Sequence, residues 1–184
     1  MPSETNNRAF FHDLRTHVDQ HRARVIDTFR PLSDAQLNWT PSLKEWDTLQ
    51  CFDHLNLTHD YYAPKIAAAL VEPGQGDDVY KPSFWGRIYM FFAFNPRFSF
   101  PAADALTPVQ RPTRTVLDDY LTRLEELTNV IDRAENVNLN ATRVHIESFV
   151  SFNLGDCMKV LVYHDELHIN QAQRVLANEP TGGE

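Results

Sequence analysis

Apolar residues recur at intervals of three and four along four long stretches of this chain, and that period commits it to helices packed on one another. The first stretch covers about residues 5–29, with Phe11, Leu14, Val18, Val25 and Phe29 on one side and Pro31 ending it. Ser33-Asp-Ala-Gln-Leu37 reads as a short turn of helix capped by Ser33. The second stretch begins at Asp47. Asp47 and Gln50 match a capping box, and Trp46 stands where a hydrophobic staple belongs. Phe52, Leu55, Tyr62, Ile66 and Leu70 form its stripe, and Pro64 inside the pattern predicts a kink or an interruption. The third stretch, about 115–133, carries Val116, Tyr120, Leu124, Leu127, Val130 and Ile131. The fourth, about 153–177, opens with Asn153 as N-cap and Asp156 in the first turn, then carries Met158, Leu161, Leu167, Val175 and Leu176.

About forty residues separate the second and third stretches, long for a connection in one domain. They hold Phe84, Trp85, Tyr89, Met90, Phe91, Phe92, Phe94, Phe98 and Phe100, and a short helix is expected over residues 83–94. So long a link lets the third helix run parallel to the second. The expectation is an all-α four-helix bundle in up-down-down-up order, residues 1–184 forming one domain. The aromatics of the crossover are read as core cover or a dimer contact, with a lid or a membrane-touching wedge as the alternative.

Charge and cysteine content narrow the function classes. The net charge of −8 does not suit a phosphate backbone, so no nucleic-acid partner is expected. Two cysteines, Cys51 and Cys157, are too few for a disulfide scaffold. The first residues lack the apolar core of a signal peptide, and no apolar run is long enough to span a bilayer. A reducing cytoplasm and no membrane partner are the expected setting.

The chemistry lies in the eight histidines. His164 and His168 are four apart in the fourth stretch, hence on one helical face, roughly 5–6 Å apart. Both fall on the inward stripe with Cys157, Leu161, Gln171 and Val175. Two imidazoles at that spacing can share a divalent ion, and inward polar rings need partners. The same pair also reads as hydrogen-bonded core or surface histidines, and His17 and His21 show the same spacing. His54, on the flank of the second stripe, is a candidate third ligand. His59 lies about 140° further around that helix, off the site. Three histidines from two helices leave coordination positions open, the pattern of reactive zinc sites.

Several motifs resemble the DinB-like family. Trp46-Asp47 followed by His54-Leu55 resembles the Trp-Ser…His-Leu signature that opens the family's second helix, where the His is a metal ligand. His164-Asp165, His168 and Gln171 resemble its His-Glu-x-x-His-x-x-Gln on the fourth helix, where both His are ligands. Leu37-Asn-Trp39, Phe100-Pro101, Pro108 and Asn153-Leu-Gly-Asp-Cys-Met158 resemble the family's lead-in, crossover and last-helix start. The resemblance implies an up-down-down-up bundle, often a homodimer, with Zn²⁺ or Ni²⁺ on His54, His164 and His168. It also implies thiol S-transferases or isomerases that use a low-molecular-weight thiol, beside members of unknown activity. Asp47 stands where the family has Ser, which changes only the cap. Asp165 stands where it has Glu.

Neutral imidazoles leave an ion its full charge, which lowers the pKa of a bound water or thiol. The expected function is activation of a small thiol or water for attack on a small-molecule electrophile, as in a thiol transferase or a hydrolase. Candidate bases are Asp165, Glu166, Asp53 and Asp60. Glu166 is expected to be a solvated charge and Asp165 to support His164. Gln171 is expected to fix an imidazole or donate to a bound group. Tyr61 is a candidate pocket wall, and core packing explains it as well. The cysteines are read as buried thiols or soft ligands, and His17 and His21 as surface or core residues. The alternative function is a non-catalytic metal-binding or stress-response bundle acting through a partner.

Overall fold

The computed structural model describes residues 5–42, 44–71, 79–93, 102–147 and 150–179. Helices make up most of it. Helix α1 spans Asn7–Arg24 and continues as a wider π-turn over Val25–Phe29. Short α2 spans Asp34–Leu37, with Ser33 and Gln36 closing the expected capping box. Helix α3 covers Thr48–Ala69, capped by Asp47 and Gln50 in the same reciprocal way. Helix α4 covers Phe84–Ala93, α5 Thr115–Ala134 and α6 Leu154–Ala177, the last capped by the Asn153 side chain. Each such cap satisfies an otherwise orphaned amide and is worth about 1 kcal/mol.

Two features differ from the sequence expectation. Helix α3 runs through Pro64 without interruption. Proline removes one backbone donor there, and the Lys65 ammonium donates to the Tyr61 carbonyl within that turn. The all-helix expectation also misses two small antiparallel pairs. Strand β1 (Thr5–Asn6) pairs with β2 (Val79–Tyr80), and β3 (Arg143–Glu147) pairs with β4 (Val150–Asn153), with an irregularity between His145 and Glu147. Val144 and Ile146 of β3 are buried in the alternating pattern of a strand.

The four long helices enclose one apolar core, and each packs against two others: α3 on α6 and α5, α1 on α5 and α6. Phe11, Leu14, Phe29, Phe52, Leu55, Tyr120, Leu124, Ile131, Met158 and Ile169 meet there, essentially inaccessible to solvent. Polar contacts set the register. From α1 to α6 they advance in step: Asp13 with Tyr163, His21 with Glu166, Arg24 with Asn170 and Gln173. From α3 to α5 they also advance, Asn56 to Val116 and Asp60 to Arg123. From α1 to α5 they run oppositely, Arg15 with Asp132 and Glu135 but Arg30 with Asp118.

Buried Asp156, in the first turn of α6, anchors the start of the crossover. Its carboxylate accepts from the Tyr80 hydroxyl at 2.5 Å and the Ser83 amide at 3.0 Å. Gly86 of α4 packs directly on that carboxylate, leaving no room for a Cβ. On the outer side of α4, Phe84, Trp85, Phe91 and Phe92 are exposed, so these rings do not serve as core cover, whereas Tyr89, though partly exposed, packs on Phe152. Phe94, Phe98 and Phe100 lie outside the described residues. Among the described residues no helix is long and apolar enough to cross a membrane.

Candidate metal centre

Residues from α3 and α6 bring three imidazoles together. His54 sits in the second turn of α3 and is buried; His164 and His168 lie one turn apart on α6 and are partly exposed. Their ring centroids are 4.5–5.1 Å apart, and one ligand nitrogen from each lies within 4.8 Å of the other two. The Nε2 atoms of His54 and His164 are 3.3 Å apart. Two ligand atoms on a tetrahedral zinc, each ~2.0–2.1 Å from it, stand ~3.3 Å from one another. The indole of Trp46 packs on both His54 and His168, at centroid distances of 4.8 and 5.8 Å.

Hydrogen bonds decide which nitrogen each ring offers. The Nδ1–H of His54 donates to the Leu106 carbonyl at 2.6 Å, and that of His168 donates to the Gln171 side-chain oxygen at 2.9 Å. A neutral imidazole carries one proton, so both rings keep a lone pair on Nε2. Such a partner on the far nitrogen is the usual support of a metal-bound histidine. His164 Nδ1 is buried and has no hydrogen-bond partner among the described residues. Burial pushes all three imidazoles toward the neutral form: His168 to about 4 and His164 well below the usual value, both with added repulsion from neighbouring rings, and His54 downward against its bond to Leu106. Three neutral rings, two of them with the lone pair fixed on Nε2, with ligand nitrogens within 4.8 Å of one another are a donor set that zinc or nickel takes, so the cluster could hold a metal ion.

The other sequence candidates go elsewhere. Asp165, expected to support His164, is fully buried and accepts from His59 Nε2 at 2.9 and 3.1 Å. Burial and this carboxylate together hold the nearby Tyr120 hydroxyl protonated. Glu166, expected to be solvated, instead accepts from Arg24, His21 and Asn170. Asp53 accepts from the Val109 amide at 2.9 Å, and Asp60 pairs with Arg123 at 2.7 Å. Tyr61 donates to the Ile146 carbonyl of β3 rather than lining the cluster. Cys51 and Cys157 are buried free thiols, and burial pushes both up to about 12, which keeps them unreactive.

Sequence reasoning missed three contributors. Leu106 acts through its backbone carbonyl, which leaves no trace in residue type. Trp46, read as a staple, also floors the cluster. A cavity of about 50 Å³, lined by Thr58, Tyr62, Tyr89, Leu106, Val160 and Leu161, reaches His164 beneath α4. It has room for a water molecule or a small group beside the rings.

The sequence was compared with known proteins. Neither the curated proteins nor the solved structures yield a match. The family model of the DinB superfamily matches residues 17–172, a span that holds α3, α5, the three histidines and Gln171. With most of its length matched, the chain belongs to the DinB superfamily.

Proposed function

We propose that this protein is a metal-dependent enzyme whose His54, His164 and His168 hold one divalent ion, Zn²⁺ or Ni²⁺. The observation that carries the reading is the pair of Nδ1 hydrogen bonds that leaves Nε2 bare on His54 and His168, in a cluster where one ligand nitrogen from each of the three rings lies within 4.8 Å of the others. When bound, an ion on three neutral imidazoles lowers the pKa of a thiol or water at its open position. The small cavity beside His164 is where a thiol or water would enter, and Tyr62 and Tyr89 bound it. The substrate class is a small electrophile met by a low-molecular-weight thiol, as in a thiol S-transferase, or by water, as in a hydrolase. Gln171 serves as a positioning residue for His168. Asp165 acts from behind its pair with His59: its charge is felt at both His54 and His168 and favours a cation between them. The bundle is read as up-down-down-up, supported by contacts that advance from α1 to α6 and from α3 to α5 but reverse from α1 to α5. A cytoplasmic setting is part of the proposal, and the two free buried thiols support it.

Elemental analysis of protein purified without added metal tests the site. One Zn or Ni per chain is expected, lost in His164→Ala with helical content unchanged. Wild-type protein that is metal-free and cannot be reloaded overturns the proposal. A screen of small thiols against model electrophiles then separates transfer from hydrolysis.

A second reading has its own observation. Phe84, Trp85, Phe91 and Phe92 stand exposed on α4, which favours a homodimer or a bundle acting through a protein partner. Light scattering checks it: a dimer that Phe91→Glu dissociates supports this surface, and a monomeric wild type removes the dimer.

A further inference from the structure

Helix α6 turns three consecutive residues to three different neighbours. His164 faces the cluster described above, Asp165 faces His59, and Glu166 faces α1. On the α1 side Glu166 meets His21 and His17, one helical turn apart. His21 Nε2 is 3.0 Å from Glu166 Oε2, and one ligand atom from each of the three residues lies within 4.8 Å of the others. The His21 side chain is fully buried and that of Glu166 is 30% exposed, so the group opens to solvent on one side. His17 is stacked on the Tyr163 ring at 4.8 Å, and its Nε2 points at Asp13 from 3.7 Å, beyond a hydrogen bond. The Tyr163 hydroxyl donates to the other Asp13 oxygen at 3.0 Å. The Nδ1 atoms of His17 and His21 are both buried without a hydrogen-bond partner among the described residues.

We infer that His17, His21 and Glu166 form a second divalent-metal site, suited to Zn²⁺, that ties α1 to α6. Two imidazoles four apart on a helix, plus one carboxylate from a facing helix, are an ordinary zinc donor set. The 3.0 Å between His21 and Glu166 is already close to the ~3.3 Å edge of a tetrahedral zinc. Any larger separation therefore involves His17, whose ring is partly exposed. Asp13 stands next to His17 as an outer carboxylate. Arg24 contacts both Glu166 oxygens at 2.9 Å, so the carboxylate is already neutralised. The site is thus weaker than the three-histidine cluster and fills only at Zn²⁺ in excess of one equivalent. Its role is structural or regulatory, because its ligands hold two helices together.

Zinc titration by calorimetry, in the His164→Ala background, isolates this site from the proposed catalytic one. One equivalent of Zn²⁺ is expected to bind there, with ring signals of His17 and His21 shifting in the NMR spectrum. Adding His17→Ala should abolish that equivalent, and Glu166→Gln, which is isosteric and retains polar contacts, should weaken it at least tenfold. Equal zinc binding by His164→Ala and His164→Ala/His17→Ala, whether none or one equivalent, overturns the inference. Circular dichroism confirms that each variant is folded. Failure of the three-histidine site would leave wild type and His164→Ala indistinguishable in this titration while still sensitive to His17→Ala, so the two proposals fail separately.

Discussion

The two histidine clusters on opposite sides of α6 use the same residue type to different ends. Around His54, His164 and His168 the rings have only neutral direct partners, a backbone carbonyl and an amide oxygen. Around His17 and His21 the partners are charged, with Glu166 held between His21 and the Arg24 guanidinium. The first arrangement leaves lone pairs on Nε2 of His54 and His168, with a third imidazole, His164, 3.3 Å from the first of them. The second is already half satisfied by an ion pair. What separates the two clusters is what sits on the far side of each ring, and a histidine count does not reveal it.

The largest effect on this comparison is expected from Asp165, which lies between the clusters and whose charge reaches His54, His168 and His21. Asp165→Ala leaves His59 without its partner in a site 0–1% exposed. Removing one member of a buried pair costs about 3–5 kcal/mol, to be read as a fall in the urea midpoint. A loss under about 1 kcal/mol would mean that the pair does not organise α6.

Metal removal comes next. Protein loaded with one equivalent should gain about 3–4 kcal/mol when free metal is 100–1,000 times Kd, and a chelator should erase that gain in thermal melts. His54→Ala should lose most of that gain, whereas Glu166→Gln should respond as wild type does. The reverse pattern would assign the tight ion to the other cluster.

Gln171→Ala removes the acceptor that fixes His168. Outer partners of metal ligands are worth about 10–100-fold in affinity, measurable by competition with a chelating dye. No change would place Gln171 outside the site.

The smallest effect is acid sensitivity of the metal-free protein. Native His168 resists protonation down to about 4, and His54 and His164 are also lowered by burial, whereas the unfolded chain protonates near 6.5. The unfolded state therefore binds more protons between pH 6.5 and 4, and stability falls as pH falls through that window. His168 alone contributes about 1 kcal/mol between pH 6.5 and 5.5. Urea melts across that range check it, and stabilisation on acidification would contradict neutral rings.

Much of this was legible in residue order. Periodicity placed the four long helices and the short α4 within a few residues of their observed bounds, and Ser33, Asp47 and Asn153 named their own caps because a cap is a local bond. The β3–β4 hairpin left only a short signal, the alternation of Val144 and Ile146, and the helical period does not register it. Glu166 was misjudged because a helical wheel gives direction but not what stands opposite. Asp165 was misplaced for the same reason: its ring partner, His59, is 106 residues away.

The sequence by itself determined the helices, their caps and the shared face of His164 and His168, since these follow from spacing along one backbone. Only the tertiary structure decided that His54 completes that face, that Leu106 sets its tautomer, and that Glu166 turns to α1. Those outcomes depend on which side chains from distant segments meet, and helix periodicity carries no information about the partner across the gap.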